Sequence, residues 1–322
     1  MDAEIGRNRI LVLPADPAIE EAVRDAVGDS GSIVRPVSRT AEAVRELLPD
    51  ADIVVADWSG RLSLGAEEAA LGRHLRLIQQ PGVGIAFIDV DAWAEAGVPV
   101  ANTPGGNAAS VAEWAVAATA NLCRSIGWAD AEMRSGRWPQ ASILQRDTRD
   151  LGERRVGLVG FGDINRRCAT LFRAFGCEVA YTSRRPDPSS ALSHRALDDL
   201  LAESDVLVVA VPLTTETRGL IGARELALLP REALVVNVAR GPVVDEVALA
   251  GAIRSGSVAG AALDVFAAEP LDTASELFDL DNVVLSPHIA GGSSTARRRM
   301  FRMTGENVAR VCRGEAPLWT VG

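Results

Sequence analysis

Val156-Gly157-Leu158-Val159-Gly160-Phe161-Gly162-Asp163-Ile164-Asn165 is the stretch that decides the fold. Val156–Val159 reads as a buried strand, Gly160 permits a tight turn, and Asp163-Ile164-Asn165 opens a helix. A strand, a glycine turn and a helix start suit a diphosphate. Gly162 lets the backbone approach it, and the helix N-terminus offers free N–H groups and positive potential. Gly160 and Gly162 are therefore candidate contacts. Asn165 replaces the third glycine of the G-x-G-x-x-G pattern, the one that normally allows close helix–strand packing. The flanking strand and helix raise the weight of an otherwise weak motif.

Alternation of strand and helix continues in both directions. Downstream to about Pro287, strands are expected at Val156–Val159, Glu178–Tyr181, Val206–Ala210, Leu234–Val238, Gly260–Leu263 and Val283–Leu285. Upstream, Ile10–Leu13, Ile33–Pro36, Ile53–Ala56, Leu75–Ile78 and Val98–Asn102 form an earlier block, with helices near Ala18–Val27 and Thr40–Leu48. Such alternation predicts α/β architecture, parallel sheets with helices on both faces. One long, nearly all-apolar helix is expected from about Ala108 to Arg134, and a last helix with an Arg-rich outer face over Ser293–Cys312. Ser183–Ser193, polar and Pro-rich, reads as a loop.

Composition removes whole classes of chemistry. The chain of 322 residues carries a formal charge of −10, which argues against a nucleic-acid partner. It contains no lysine, so a Walker-type phosphate loop and Schiff-base catalysis are both excluded. Tyr181 is the one tyrosine, and any imidazole acid must be His74, His194 or His288. Cys123, Cys168, Cys177 and Cys312 form no Cys-x-x-Cys pair, and no metal site is expected. An acidic start that runs straight into a strand shows no signal peptide, and no apolar stretch is long enough to cross a bilayer, so a cytoplasmic protein is expected.

The second strand of the downstream block ends at Tyr181-Thr182-Ser183-Arg184-Arg185. A dinucleotide site selective for NAD usually has Asp or Glu there to hold the ribose 2′-hydroxyl. A hydroxyl and two guanidiniums suit a 2′-phosphate instead. Ser183, Arg184 and Arg185 thus predict NADP(H) over NAD(H), with NAD(H) as the lesser alternative. Further on, Asn237-Val238-Ala239-Arg240-Gly241, Ala268-Glu269-Pro270 and Ser286-Pro287-His288-Ile289-Ala290-Gly291 each place one reactive side chain just after an apolar run. Arg240, Glu269 and His288 supply what reduction of a 2-keto acid needs: a fixed cation, a proton donor and a partner that keeps the donor charged.

With those segments, Pro81-Gly82-Val83-Gly84, Asn102-Thr103-Pro104, Val111-Ala112-Glu113, Val211-Pro212-Leu213-Thr214 and Leu263-Asp264-Val265-Phe266 occur in order over most of the chain. In these motifs the chain resembles the D-isomer-specific 2-hydroxyacid dehydrogenase family, and its Ser-Arg strand ending resembles the NADP-using glyoxylate/hydroxypyruvate reductases. Residues before Leu75 match weakly. The resemblance implies two doubly wound parallel-sheet domains, a Rossmann cofactor domain (104–289) and a flavodoxin-like substrate domain (1–103 and 290–322), with a cleft between them. It implies a homodimer joined through the cofactor domain, to which the long helix after Ala108 is suited. By resemblance, Arg240 binds the substrate carboxylate and keto oxygen. His288 protonates the developing alkoxide, and Glu269 keeps it protonated near neutral pH. Val83 and Gly84 present backbone N–H groups to the carboxylate. Asp264 receives the nicotinamide carboxamide, Val211, Val238 and Ala239 line nicotinamide and ribose, and Asp163 and Ile164 sit over the diphosphate.

His74 and His194 lack the Pro-His-Ile-Ala-Gly context and are assigned to the surface. Trp58, at a strand end, suits either a pocket wall or packing under a loop, and Arg61 offers a second cation for a dianionic substrate. Two other functions stay open on the same residues: phosphite-type oxidation, which keeps an Arg–Glu–His set, and a nucleotide-sensing, corepressor-like binding module. Formate oxidation is disfavoured, because formate enzymes of the family carry Gln where Glu269 stands.

Overall fold

The structure, a computed structural model, describes residues 8–146 and 148–322. They form two compact units, one from residues 8–107 with 294–322 and the other from residues 108–146 with 148–293. Among the described residues no helix is long and apolar enough to cross a membrane.

The first unit holds β1 (Asn8–Val12), β2 (Gly31–Val34), β3 (Ile53–Val55), β4 (Leu77–Gln79) and β5 (Val100–Ala101). Their order is β5-β4-β3-β1-β2, all parallel, with Thr320–Val321 added antiparallel beside β5. Alternate residues feed two cores, as strand geometry requires. Ile10, Val12, Ile53, Val55 and Leu77 meet Ile19, Val23, Phe301 and Val308 on one face. Leu11, Val54, Ile78 and Val100 meet Val44, Leu64 and Trp93 on the other.

The second unit holds β6 (Arg155–Val159), β7 (Glu178–Thr182), β8 (Ser193–His194), β9 (Val206–Val209), β10 (Leu234–Asn237), β11 (Gly260–Leu263) and β12 (Val283–Leu285). The order is β12-β11-β10-β9-β6-β7-β8, parallel throughout, with the reversal of strand order between β6 and β9. Val206–Val209 and Leu234–Val236 are buried on both faces. Each such side chain contributes about 1.5–3 kcal/mol of burial, enough to fix these runs as central strands. The helix Ala108–Arg124 covers one face together with Asp163–Ala174, through Val111, Ala115, Cys168 and Phe172.

Two expectations change. The long helix stops at Arg124 and restarts at Ile126–Arg134, with Ser125 left-handed between them at φ 49°. The Cys123 carbonyl, which a continuous helix offers to the Gly127 N–H, accepts from the Arg149 N–H at 3.2 Å instead. Gly127 N–H turns to the Asn121 side chain at 2.6 Å. The second piece buries none of its side chains. The polar loop after Ser183 also ends in β8, a two-residue exposed edge strand with no apolar pattern to announce it.

Candidate active site

In the second unit every candidate side chain sits at or just past the carboxyl end of a parallel strand, the edge where open α/β sheets bind ligands. At the end of β6, Gly160 has φ 85°, and a Cβ there would lie 2.7 Å from the Ala210 carbonyl oxygen and from Val211 Cγ1. Only glycine makes this turn. Gly162 faces open space and starts the helix Asp163–Ala174 without any side-chain cap. The first N–H groups of that helix are thus free for an anion. Asn165 resolves the missing third glycine: it is fully buried, and its Nδ2 donates to the carbonyls of Val159 at 3.0 Å and Gly160 at 2.8 Å, strapping the turn.

The Ser183 segment lies beside this turn, since the Gly160 N–H donates to the Thr182 carbonyl at 2.9 Å. Ser183 Oγ donates to the Arg185 carbonyl at 2.7 Å, while Arg184 and Arg185 are exposed. Phe161 stacks on Tyr181 with centroids 3.9 Å apart, and the Arg166 guanidinium covers Phe161 at 4.5 Å. Arg166 also pairs with Asp187, whose N–H reaches the Tyr181 hydroxyl at 2.8 Å. Hydrogen bonds from Ser189, and then from Arg166, pull the Asp187 carboxyl down to about 2. This platform fixes the loop after Ser183. The residues present fit a dinucleotide.

At β10 the Asn237 side chain closes a turn, accepting from Ala239 N–H at 3.0 Å and donating to the Arg240 carbonyl at 3.3 Å. Val238 and Ala239 are buried, Val211 is half-buried, and Arg240 is extended with its Nη1 on the Ala239 carbonyl at 2.7 Å. At β11 and β12 the structure joins two candidates directly: His288 Nδ1 lies 2.8 Å from Glu269 Oε2. The pair is open, with side chains 46% and 37% exposed. Glu269 Oε1 is anchored by the Phe266 N–H at 3.0 Å.

His288 has φ 55°, a left-handed conformation that costs a non-glycine residue about 1–2 kcal/mol. Asp264 holds it there. Its carbonyl accepts the His288 N–H at 2.8 Å. Its buried carboxylate accepts from Ser286 Oγ, from Ile289 N–H at 2.8 Å and from Ala290 N–H at 2.9 Å. Asp264 is thus first a clamp on the His288 loop. A carboxylate has about four acceptor positions, so about one remains for a ligand amide.

Val83 and Gly84 belong to the other unit and form a corner of their own past β4. Three successive carbonyls are pinned: Gly82 by Thr103 N–H at 3.2 Å, Val83 by Asn102 Nδ2 at 2.8 Å, and Gly84 by Gln80 Nε2 at 2.8 Å. Among the described residues the N–H groups of Val83 and Gly84 have no acceptor. Trp58 packs on Phe301, with centroids 5.1 Å apart, and Arg61, His74 and His194 are exposed. His194 Nε2 lies 3.0 Å from the Ser183 carbonyl. Among the described residues no group of three or more His, Cys, Asp or Glu is placed to hold a metal ion.

A family profile described as "D-isomer specific 2-hydroxyacid dehydrogenase, NAD binding domain" matches residues 116–290. The glyoxylate reductase of Thermococcus gammatolerans is 36% identical over 86% of this chain and 84% of its own length. The chain belongs to the D-isomer specific 2-hydroxyacid dehydrogenase family. It is accordingly an oxidoreductase of 2-hydroxy acids, with a dinucleotide-binding Rossmann sheet in its second unit. The hydroxypyruvate reductase of Thermotoga maritima is 33% identical over 88% of this chain and 92% of its own. Among solved structures, an NADPH-dependent glyoxylate/hydroxypyruvate reductase from Sinorhizobium meliloti, in complex with NADP and malonate, superposes with TM-score 0.83 at 30% identity, over 98% of this chain and 97% of that one.

Gln80, Phe161 and Ser286 were not singled out by residue type, and Asn102 and Asp187 were not given the holding roles seen here. Gln80 and Asn102 hold backbone carbonyls, and Phe161, Asp187 and Ser286 hold neighbouring side chains, so none offers a reactive group. The one usable signal was position, since all lie within a few residues of a residue that was singled out.

Proposed function

We propose that the chain transfers hydride between NADP(H) and a small 2-keto acid of the glyoxylate or hydroxypyruvate kind, forming the D-2-hydroxy acid. The observation that carries this reading is the open Glu269–His288 pair, held at a strand end by a strained and clamped backbone. In this reading His288 delivers its proton to the keto oxygen and recovers it in the reverse direction. Glu269 orients the imidazole through Nδ1. Arg240 binds the carboxylate and polarises the carbonyl, a task suited to a planar fork of donors. The N–H groups of Val83 and Gly84 also bind the carboxylate. The nicotinamide nucleotide, when bound, supplies or accepts the hydride. Gly160, Gly162, Asp163 and Ile164 would hold its diphosphate, Ser183, Arg184 and Arg185 its 2′-phosphate, and Val211, Val238, Ala239 and Asp264 its nicotinamide end.

The test is turnover of the purified protein with NADPH or NADH against glyoxylate, hydroxypyruvate and a branched 2-keto acid, and of phosphite with NADP. Rapid oxidation of NADPH by a keto acid is expected. Nucleotide binding without turnover of any keto acid would defeat the enzyme reading. Preference for NADPH is supported by the absence of an acid at the end of β7, and by the NADP-bound relative. Replacing both Arg184 and Arg185 by Ala should narrow that preference about 10–100-fold, the worth of one charge-assisted hydrogen bond. A wild-type preference for NADH overturns it. A homodimer is supported by Ile126, Met133, Trp138 and Leu144, all exposed on the segment after the long helix. Light scattering should give twice 34.0 kDa, and a monomer mass rejects the assembly.

A further inference from the structure

Glu246 opens the helix Glu246–Arg254, outside every role given above, yet it grips the same loop as Glu269. Two consecutive N–H groups of that loop go to two different carboxylates: Phe266 N–H to Glu269 Oε1 and Ala267 N–H to Glu246 Oε1. Gly241 lies close against the Phe266–Ala267 peptide. A Cβ on Gly241 would lie 1.8 Å from the Phe266 carbonyl carbon and 2.2 Å from the Ala267 nitrogen. The residue before Gly241 is Arg240. The backbone of Phe266 and Ala267 is therefore a shared wall: Gly241, next to Arg240, lies against the peptide that joins them, and Glu269 hangs from the Phe266 N–H.

We infer that Glu246 is a positioning residue for the acid–imidazole pair: by holding the Ala267 N–H it fixes the wall on which both Glu269 and the Arg240 loop rest. This deepens the proposed function, and it rests on Glu269 and His288 being the proton-handling pair. The energetics point the same way. Burial pushes the Glu246 carboxyl up, opposed by the Ala267 N–H and reinforced by the charges of Glu269 and Asp245. A carboxyl raised in the fold gives stability below its unfolded value and loses it as pH rises through the folded one. The fold therefore disfavours the ionised form of Glu246. What the side chain supplies to the wall is its acceptor oxygen, which an amide supplies equally well.

A matched pair of variants tests this. Glu246→Gln keeps the stem and an acceptor oxygen, and Glu246→Met keeps the stem without the acceptor. The Met variant should lose about 10-fold or more in kcat, as small misplacements of reacting groups do. Its KM for NADPH should stay near wild type, and amide hydrogen exchange over residues 264–270 should speed up. The Gln variant should keep kcat within about threefold, exchange at the wild-type rate and melt no lower than wild type at pH 8. Wild-type kcat in the Met variant, whatever its melting temperature, overturns the inference. A Gln variant as impaired as the Met variant also overturns it. If the wild-type protein reduces no keto acid, the proposed function fails by itself. The exchange experiment then still decides whether Glu246 holds the wall, and equal exchange in wild type and the Met variant rejects that.

Discussion

Two corners of this chain face chemistry in opposite ways. Past β11 and β12 the working groups are side chains, Glu269 and His288. Backbone and one buried carboxylate hold them, with His288 left-handed and Asp264 gripping Ser286, Ile289 and Ala290. Past β4 the exposed donors are backbone N–H groups, and side chains hold them, with Gln80 and Asn102 pinning the carbonyls of Gly84 and Val83. An imidazole can give up its proton near neutral pH and a peptide N–H cannot, so the proposed function gives proton transfer to the first corner and fixed anion recognition to the second. The difference teaches where to look for function. A reactive side chain is named by its type, whereas a reactive backbone is betrayed only by the amides that turn its carbonyls away.

The largest effect should come from the first corner. His288→Ala removes the proton donor and should lower kcat about 10²–10⁴-fold with KM for the nucleotide little changed. Steady-state kinetics checks it, and near-normal turnover would assign the chemistry elsewhere. Asp264→Ala should follow. It frees the Ser286 hydroxyl and the Ile289 and Ala290 N–H groups and leaves only the backbone carbonyl of residue 264 to hold His288 in its left-handed conformation. A fall in kcat of about 10–100-fold is expected, together with lost stability on the order of 2–4 kcal/mol. Calorimetry separates the two effects: a lower melting temperature with unchanged kcat would make Asp264 a purely structural clamp.

The contrast between the corners also explains what could be read from the sequence. The central strands were legible because both faces are buried, which leaves apolar runs such as Val206–Val209 that few other structures tolerate. The glycine turn was legible because Gly160 sits at φ 85° against the Ala210 carbonyl. β8 was not, because Ser193 and His194 are exposed and polar. Nor was the break at Ser125, because it depends on Arg149, distant in sequence, taking the Cys123 carbonyl. In the site, His288 and Glu269 announced themselves by chemistry. Asp264 was noticed for a ligand contact, but its grip on the His288 loop needs the spatial meeting of β11 and β12. Asn165 looked like a defect in a glycine pattern and is a strap that replaces it.

The smallest effect, and the sharpest test of the contrast, belongs to the second corner. Gln80→Met keeps the shape of a residue only 2% exposed and removes the donor to Gly84. Asn102→Ala removes the donor to Val83. Each loses one neutral hydrogen bond, so each should raise KM for the keto acid about 3–10-fold while kcat and KM for NADPH change less. Binding of oxalate, a substrate-like dicarboxylate that is not turned over, should weaken in step. Because both side chains hold one short loop, the double variant should fall short of the product of the two effects. Multiplying effects would mean that Gln80 and Asn102 act separately. Unchanged oxalate binding in both single variants would mean that the Val83 and Gly84 N–H groups do not meet the carboxylate, leaving anion recognition to Arg240 alone.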